Sequence, residues 1–126
     1  MSRSVATAKV APNAQAILTK AVIRSAGILG ITNRKLANII GVSPSTVTRL
    51  HSEGSYLVQG RKEWEMGVLF VRMFRSLDAI VGDTGTRAWL ESENSAFANR
   101  KPVDLIETAE GLVHVTNYLD AHRGII

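Results

Sequence analysis

The sequence predicts an all-α protein, and three observations predict it. Apolar residues recur every three or four positions through most of the chain, the spacing of a helix face. Glycines, prolines and capping hydroxyls fall where those runs stop. No stretch of four or more residues alternates apolar with polar as a half-buried strand would, and no internal repeat is present. The 126 residues leave room for one compact domain or two very small ones.

The elements follow in order. Asn13, after Pro12, is an N-cap for the first helix. Ala14, Ile17, Leu18, Ala21, Val22, Ile28 and Leu29 form its apolar face, and Gly30 ends it. Thr32 caps a short second helix from Asn33 to Ile40, and Gly41 closes it. Ser43-Pro44 starts a third helix: a hydroxyl cap, then proline at the first position, where no N–H is needed. That helix runs to about Glu53 and stops at Gly54-Ser55. The loop through Gly60 is read as the boundary between a first domain over 13–59 and a second over 60–126, with 1–12 as a flexible arm.

A long helix from about Arg61 to Val81 carries Trp64, Met66, Leu69, Phe70, Met73, Leu77, Ile80 and Val81, with Val68, Val71 and Phe74 widening the stripe. So broad a face requires burial on several sides, within the fold or in a dimer. Gly82-Asp83-Thr84-Gly85 breaks the chain before a short helix over Thr86 to Leu90. A loop over Asn94 to Lys101 follows, then a helix start at Pro102 leading Val103 to Ile106. Thr108 caps a last helix to about His122, with Leu112, Val115 and Leu119 on one face, and Gly124-Ile125-Ile126 forms a tail.

Composition narrows the function classes. Hydrophobic residues make up 45% and charged residues 21%, the balance of an ordinary globular chain. With no cysteine there is no disulfide framework, no thiolate metal site and no thiol nucleophile. The first twelve residues lack the apolar core of a signal peptide, and the apolar run Met66 to Val71 is too short to span a bilayer. A cytoplasmic protein with no membrane partner is the expectation. The net charge of +4 is unevenly divided. Residues 1–62 carry nine Lys/Arg against Glu53 alone, and residues 63–126 carry six against ten Asp/Glu. A basic half suits a polyanion, because Lys and Arg near phosphates release condensed counterions.

Residues 32–52 hold the strongest local signal. Leu36, Ala37, Ile40, Val42, Val47 and Leu50 are the apolar set of a helix-turn-helix. Ala37 is small where two helices cross, and Gly41 permits the positive φ of a tight turn. The outward face of the third helix then offers Ser45, Thr46, Thr48, Arg49 and Ser52, with Ser43 at its start. Short hydroxyls and one arginine suit the major groove of double-stranded DNA. Arg34 and Lys35 are placed for backbone phosphates. The arrangement resembles the Xre/Cro repressor class. Asn33 and Pro44 stand where that class commonly has glutamine, so no operator sequence carries over.

The second half resembles a more specific family. Arg87-Ala88-Trp89-Leu90, Asn94, Phe97, Arg100-Lys101-Pro102-Val103-Asp104-Leu105-Ile106, Thr108, Glu110-Gly111, Val115 and Leu119 look like the toxin-binding domain of the Xre/MbcA/ParS antitoxins. Ala98-Asn99 replaces the family's glycine-rich turn, and Ile106 its second leucine. The resemblance implies a type II antitoxin. Its N-terminal helix-turn-helix domain would bind operator DNA to autoregulate the operon. Its small helical C-terminal domain would neutralise a cognate RES-domain toxin, which consumes NAD. The alternative is a phage-type repressor whose second half only dimerises.

For the toxin surface, the residues singled out are Tyr118, His122 and Arg123 on the last helix and Gly124, Ile125 and Ile126 in the tail. Tyrosine is favoured at interfaces, and an apolar tail has no other evident use. His51, His114 and His122 lack metal-ligand spacing, and Gly82 to Gly85 lacks the lysine and strand of a phosphate loop. The reading is therefore of a binding protein, with no catalytic residue, metal or cofactor. One helix-turn-helix reads few bases, so a homodimer or a higher toxin–antitoxin complex is expected.

Overall fold

A computed structural model describes the backbone of residues 2–123 and the side chains of residues 13–123. Among these are seven α-helices: α1 (Ser2–Leu29), α2 (Asn33–Ile40), α3 (Pro44–Leu50), α4 (Lys62–Val81), α5 (Asp83–Glu91), α6 (Pro102–Leu105) and α7 (Ala109–Arg123). A 3-10 turn covers Ser95–Phe97, and Asn94 forms a lone antiparallel bridge with Arg100. The expected all-α class is what the structure has.

Helix α4 is the axis of the fold. It packs along α7 and against α1, α5 and α2, which is why its apolar stripe is so broad. Phe70, Met73 and Leu77 are wholly buried, as are Val22 of α1, Leu90 of α5, and Leu112 and Val115 of α7. These residues belong to one continuous core shared by both halves of the chain. The face expected to serve self-association is thus mostly consumed within the chain; Val68 is exposed, and Trp64, Met66, Leu69, Phe74, Ile80 and Val81 are only partly buried.

Three helix boundaries differ from expectation. Helix α1 begins at Ser2, so Asn13 is no cap and residues 2–12 of the segment expected as an arm have helical backbone, with Pro12 inside it. Ala6, Ala8 and Ala11 supply strong helix propensity there. Helix α3 stops at Leu50 rather than near Glu53. Helix α5 starts at Asp83, because Gly82 alone, at φ 79°, breaks the chain. The loop before α4 is also no free linker. The Leu57 N–H donates to the buried Thr19 Oγ1 at 2.8 Å, and the Gln59 N–H to Gln15 Oε1 at 3.1 Å, strapping the loop to α1.

Candidate nucleic-acid and partner interfaces

The helix-turn-helix is built from its caps. Thr32 Oγ1 accepts from the Lys35 N–H, and Ser43 Oγ accepts from the Thr46 N–H, both at 3.2 Å. Gly41 takes φ 80°, and the Gly41 and Val42 N–H groups both donate to the Ala37 carbonyl. A residue with a Cβ would be strained at this φ. Ala37, Ile40 and Val47 are fully buried, so the inner face is fixed against the rest of the fold.

The outer face of α3 leaves Ser43, Ser45, Thr48, Arg49 and Ser52 exposed and Thr46 half-buried. Ser43 Oγ sits 2.9 Å from Thr46 Oγ1, which accepts from Arg49 Nη2 at 3.1 Å. One hydroxyl chain along the helix therefore orients the only long cationic side chain on that face. The Thr48 hydroxyl donates to the Pro44 carbonyl at 3.2 Å. Past the helix end, His51 Nε2 lies 3.2 Å from Asn33 Oδ1, tying α3 back to the start of α2. Arg34 is exposed beside this surface.

Lys35, expected at a backbone phosphate, is paired within the chain. Its ammonium donates to Glu107 Oε2 at 2.8 Å and to Asp104 Oδ1 at 3.4 Å. Asn38 Nδ2 donates to the other Glu107 oxygen at 2.8 Å. The Lys35 hydrogen bond, then that of Asn38, hold the Glu107 carboxyl below its ordinary value, and the same Glu107 bond raises the Lys35 ammonium. Lys35 is thus engaged by the acidic segment before α7, a contact 72 residues away that helix periodicity alone does not disclose.

On α7, Leu112, Val115 and Leu119 are buried as predicted. The opposite side carries an aromatic cluster. Tyr118 stacks on Trp89 with ring centres 6.4 Å apart, and Phe97 meets Tyr118 edge-on at 5.0 Å and Trp89 at 6.1 Å. His114 stands edge-on to Phe97 at 5.2 Å, and the His122 ring lies 4.0 Å from that of Tyr118. The cluster grades from buried Phe97, through half-buried Trp89 and Tyr118, to exposed His114 and His122. Sequence reasoning singled out His122 and left His114 aside. The recoverable signal was the spacing of His114, Tyr118 and His122, four residues apart on one helix face.

The structure brings Tyr118 and His122 together and turns Arg123 elsewhere. Arg123 Nη1 donates to the buried Ser76 Oγ at 3.4 Å, whose hydroxyl donates to Asp120 Oδ1 at 2.5 Å. Arg72 Nη2 lies 2.5 Å from Asp120 Oδ2 without hydrogen-bond alignment. The Ser76 hydrogen bond, then Arg72, lower the Asp120 carboxyl. Gly124, Ile125 and Ile126 lie outside the described residues.

The turn at Ala98-Asn99 keeps a left-handed backbone, with φ 56° and 63°, although neither residue is glycine. At the start of α7, Thr108 Oγ1 accepts from the Gly111 N–H at 3.0 Å. A Cβ on Gly111 would fall on the Leu105 carbonyl. Those two features position α6 and the aromatic cluster against α7.

Among the described residues, no group of three or more His, Asp or Glu is placed to hold a metal ion, and no helix is long and apolar enough to cross a membrane. No curated protein sequence matches the chain. The crystal structure of the M. tuberculosis MbcT–MbcA toxin–antitoxin complex contains a similar chain, with TM-score 0.65 and 23% identity, covering 87% of this chain and 96% of that one. Residues 8–72 match the antitoxin Xre-like helix-turn-helix domain, and residues 76–124 match the antitoxin Xre/MbcA/ParS C-terminal toxin-binding domain. With a helix-turn-helix followed by a toxin-binding domain, this chain belongs to the Xre/MbcA/ParS antitoxin family.

Proposed function

We propose that this antitoxin neutralises a RES-type toxin that consumes NAD, and represses their shared operon by binding double-stranded operator DNA in the cytoplasm. The observation that carries the neutralising role is the match of residues 76–124 to the toxin-binding domain. The solved structure that this chain resembles is a toxin–antitoxin complex, which supports a protein toxin as the partner. The aromatic face of Tyr118 and His122 offers ring surface at low conformational cost, as interfaces favour. Arg123 and the tail Gly124, Ile125 and Ile126 complete the proposed toxin surface. By covering the NAD pocket or inserting into it, that surface would block the toxin.

For DNA, the proposed reading surface is the outer face of α3. Arg49 would meet a base edge, and Ser43, Ser45, Thr46, Thr48 and Ser52 would meet bases or phosphates. Arg34 would bind a backbone phosphate, while the Lys35 ammonium is engaged by Glu107 and Asp104. Two copies would act on half-sites about 34 Å apart, or a multiple of that. The chain then works by binding rather than by turnover.

Co-expression with the adjacent gene tests the reading. The expected result is rescued growth, a co-purifying second polypeptide and a shift of upstream DNA. Growth arrest despite soluble antitoxin would refute neutralisation, and no operator shift by the antitoxin, alone or in complex, would refute repression.

A further inference from the structure

The cations of the first half are only partly absorbed by the helix-turn-helix. Residues 1–52 contain no Asp or Glu at all. Within that stretch, Arg34 and Arg49 belong to the proposed reading surface, and Lys35 is paired with Glu107. Lys20 and Arg24 remain, four residues apart and so on one face of α1. Both line an open hollow of about 250 Å³ between α1 and α4, and Arg75 lines it from the α4 side. All three are exposed, and among the described residues none of them makes an ion pair or a side-chain hydrogen bond.

Lys20 also borders a second hollow, of about 190 Å³, which His51 and Ser52 line just past the end of α3. The cations therefore continue from Ser52 of the reading surface, with Lys20 first and then Arg24 and Arg75. Glu53 is the one acid lining either hollow. Three clustered cations without a carboxylate partner attract a polyanion. The apolar lining between them, Ala21, Ile28, Val71 and Phe74, is half-buried or buried, so it offers a protein partner little apolar area. We propose that Lys20, Arg24 and Arg75 form a second contact with duplex DNA, holding backbone phosphates that flank the site read by α3. Phosphates met in this way add affinity and fix register without reading sequence. This contact rests on α3 as the reading helix and extends its footprint along α1.

Salt titration of the full-length protein tests it, on the upstream operator duplex and on a scrambled duplex of equal length. The variants are Lys20→Gln/Arg24→Gln/Arg75→Gln, the charge-keeping Lys20→Arg/Arg24→Lys/Arg75→Lys, and Arg100→Gln/Lys101→Gln, which removes exposed cations from the other half. Each phosphate contact contributes about 0.9 to the slope of log affinity against log salt. For the glutamine triple, the expected slope is shallower by about 2–3 on both duplexes, with operator preference unchanged. The other two variants should keep nearly the wild-type slope. Arg49→Ala, run alongside, should lower operator preference. If it does so while the glutamine triple keeps its slope, the α1 contact fails and the reading helix stands. If Arg49→Ala changes nothing while the triple flattens the slope, α3 fails and the α1 contact stands. An equal fall for Arg100→Gln/Lys101→Gln would reduce the effect to net charge and overturn the contact. A triple that binds DNA as the wild type does yet loses toxin would give these cations to an acidic protein surface, and would overturn it too. No duplex binding by the wild type would overturn both.

Discussion

Lys35 Nζ lies 2.8 Å from Glu107 Oε2, an ion pair that fastens the first helix of the helix-turn-helix to the segment just before α7. Both side chains keep 28% of their surface exposed, so the pair is screened and contributes modestly, in the range of about 0.2–1 kcal/mol for surface pairs. Its larger consequence is positional, since Asn38 grips the same carboxylate from the next turn of α2. Lys35→Ala should therefore lower the thermal midpoint slightly and cost operator affinity less than Arg34→Ala. Gel-shift titrations of both variants at one salt concentration decide this; a larger loss for Lys35→Ala would return Lys35 to the phosphate-binding set.

The carboxylates set the acid limit of stability. Glu107 and Asp120 both titrate below their ordinary values, through Lys35 and Asn38 in one case and Ser76 and Arg72 in the other. A depressed carboxyl stabilises the fold above its unfolded-state pKa, about 4, and that contribution is lost as pH falls through the folded value. Asp78 acts in the opposite sense, because the neighbouring Asp83 carboxyl raises it and favours the protonated form. The Glu107 and Asp120 contributions predict a falling thermal midpoint below about pH 4. In Glu107→Gln the fall should be shallower. An identical midpoint–pH curve for the variant would show that Glu107 carries none of the effect.

Arg49 is the test of the recognition helix. Its guanidinium is held by Thr46, itself held by Ser43, so the side chain is ordered before any DNA arrives. Arg49→Ala should weaken operator binding by roughly 1–3 kcal/mol and leave neutralisation intact. Thr46→Val, which frees the arginine without removing it, should cost less. Unchanged operator affinity for Arg49→Ala would remove α3 from the reading surface.

What was legible in the sequence is what short-range chemistry writes there. Ser43-Pro44, Thr32 and Gly41 announce their helix ends because a cap or a positive φ depends on one residue and its near neighbours. The pairing of Lys35 with Glu107 depends on how two helices meet, and nothing near either residue reports it. Gly111 lies between these cases. The family pattern includes a glycine early in this helix, and the Leu105 carbonyl supplies the reason, because any Cβ there would collide with backbone. The α1 start was misread because Pro12 looks like a boundary, whereas the alanines before it favour continuing the helix.

Ala98 offers a stabilising change. Its φ of 56° puts an L side chain in the left-handed region, which costs roughly 1–2 kcal/mol. Glycine removes that strain but adds freedom to the unfolded chain, an opposing effect of about 0.4–1 kcal/mol. Ala98→Gly should thus raise stability by about 0–1.6 kcal/mol, read by urea denaturation. Ala98 is exposed, so no packing is lost. A destabilised variant would mean that the turn has another backbone geometry.

Tyr118 is where the proposed toxin surface and the fold overlap, so its variants need separating. The ring stacks on Trp89, receives Phe97 edge-on and backs the exposed His122 ring. Tyr118→Ala removes all three contacts, each worth about 0.5–1.5 kcal/mol beyond the area buried, and should lower the thermal midpoint as well as weaken toxin binding. Tyr118→Phe keeps the rings in place and removes only the hydroxyl. If the toxin contacts the aromatic face, Phe should neutralise as well as Tyr, while Ala fails even at temperatures where it remains folded. If the hydroxyl makes the contact, Phe should weaken the complex without changing stability. Deleting residues 124–126 provides the complementary measurement, because it leaves the cluster and the buried Val115 and Leu119 untouched. That deletion should impair neutralisation more than DNA binding. Full growth rescue by folded Tyr118→Ala and by the deletion alike would move the blocking surface off this end of α7.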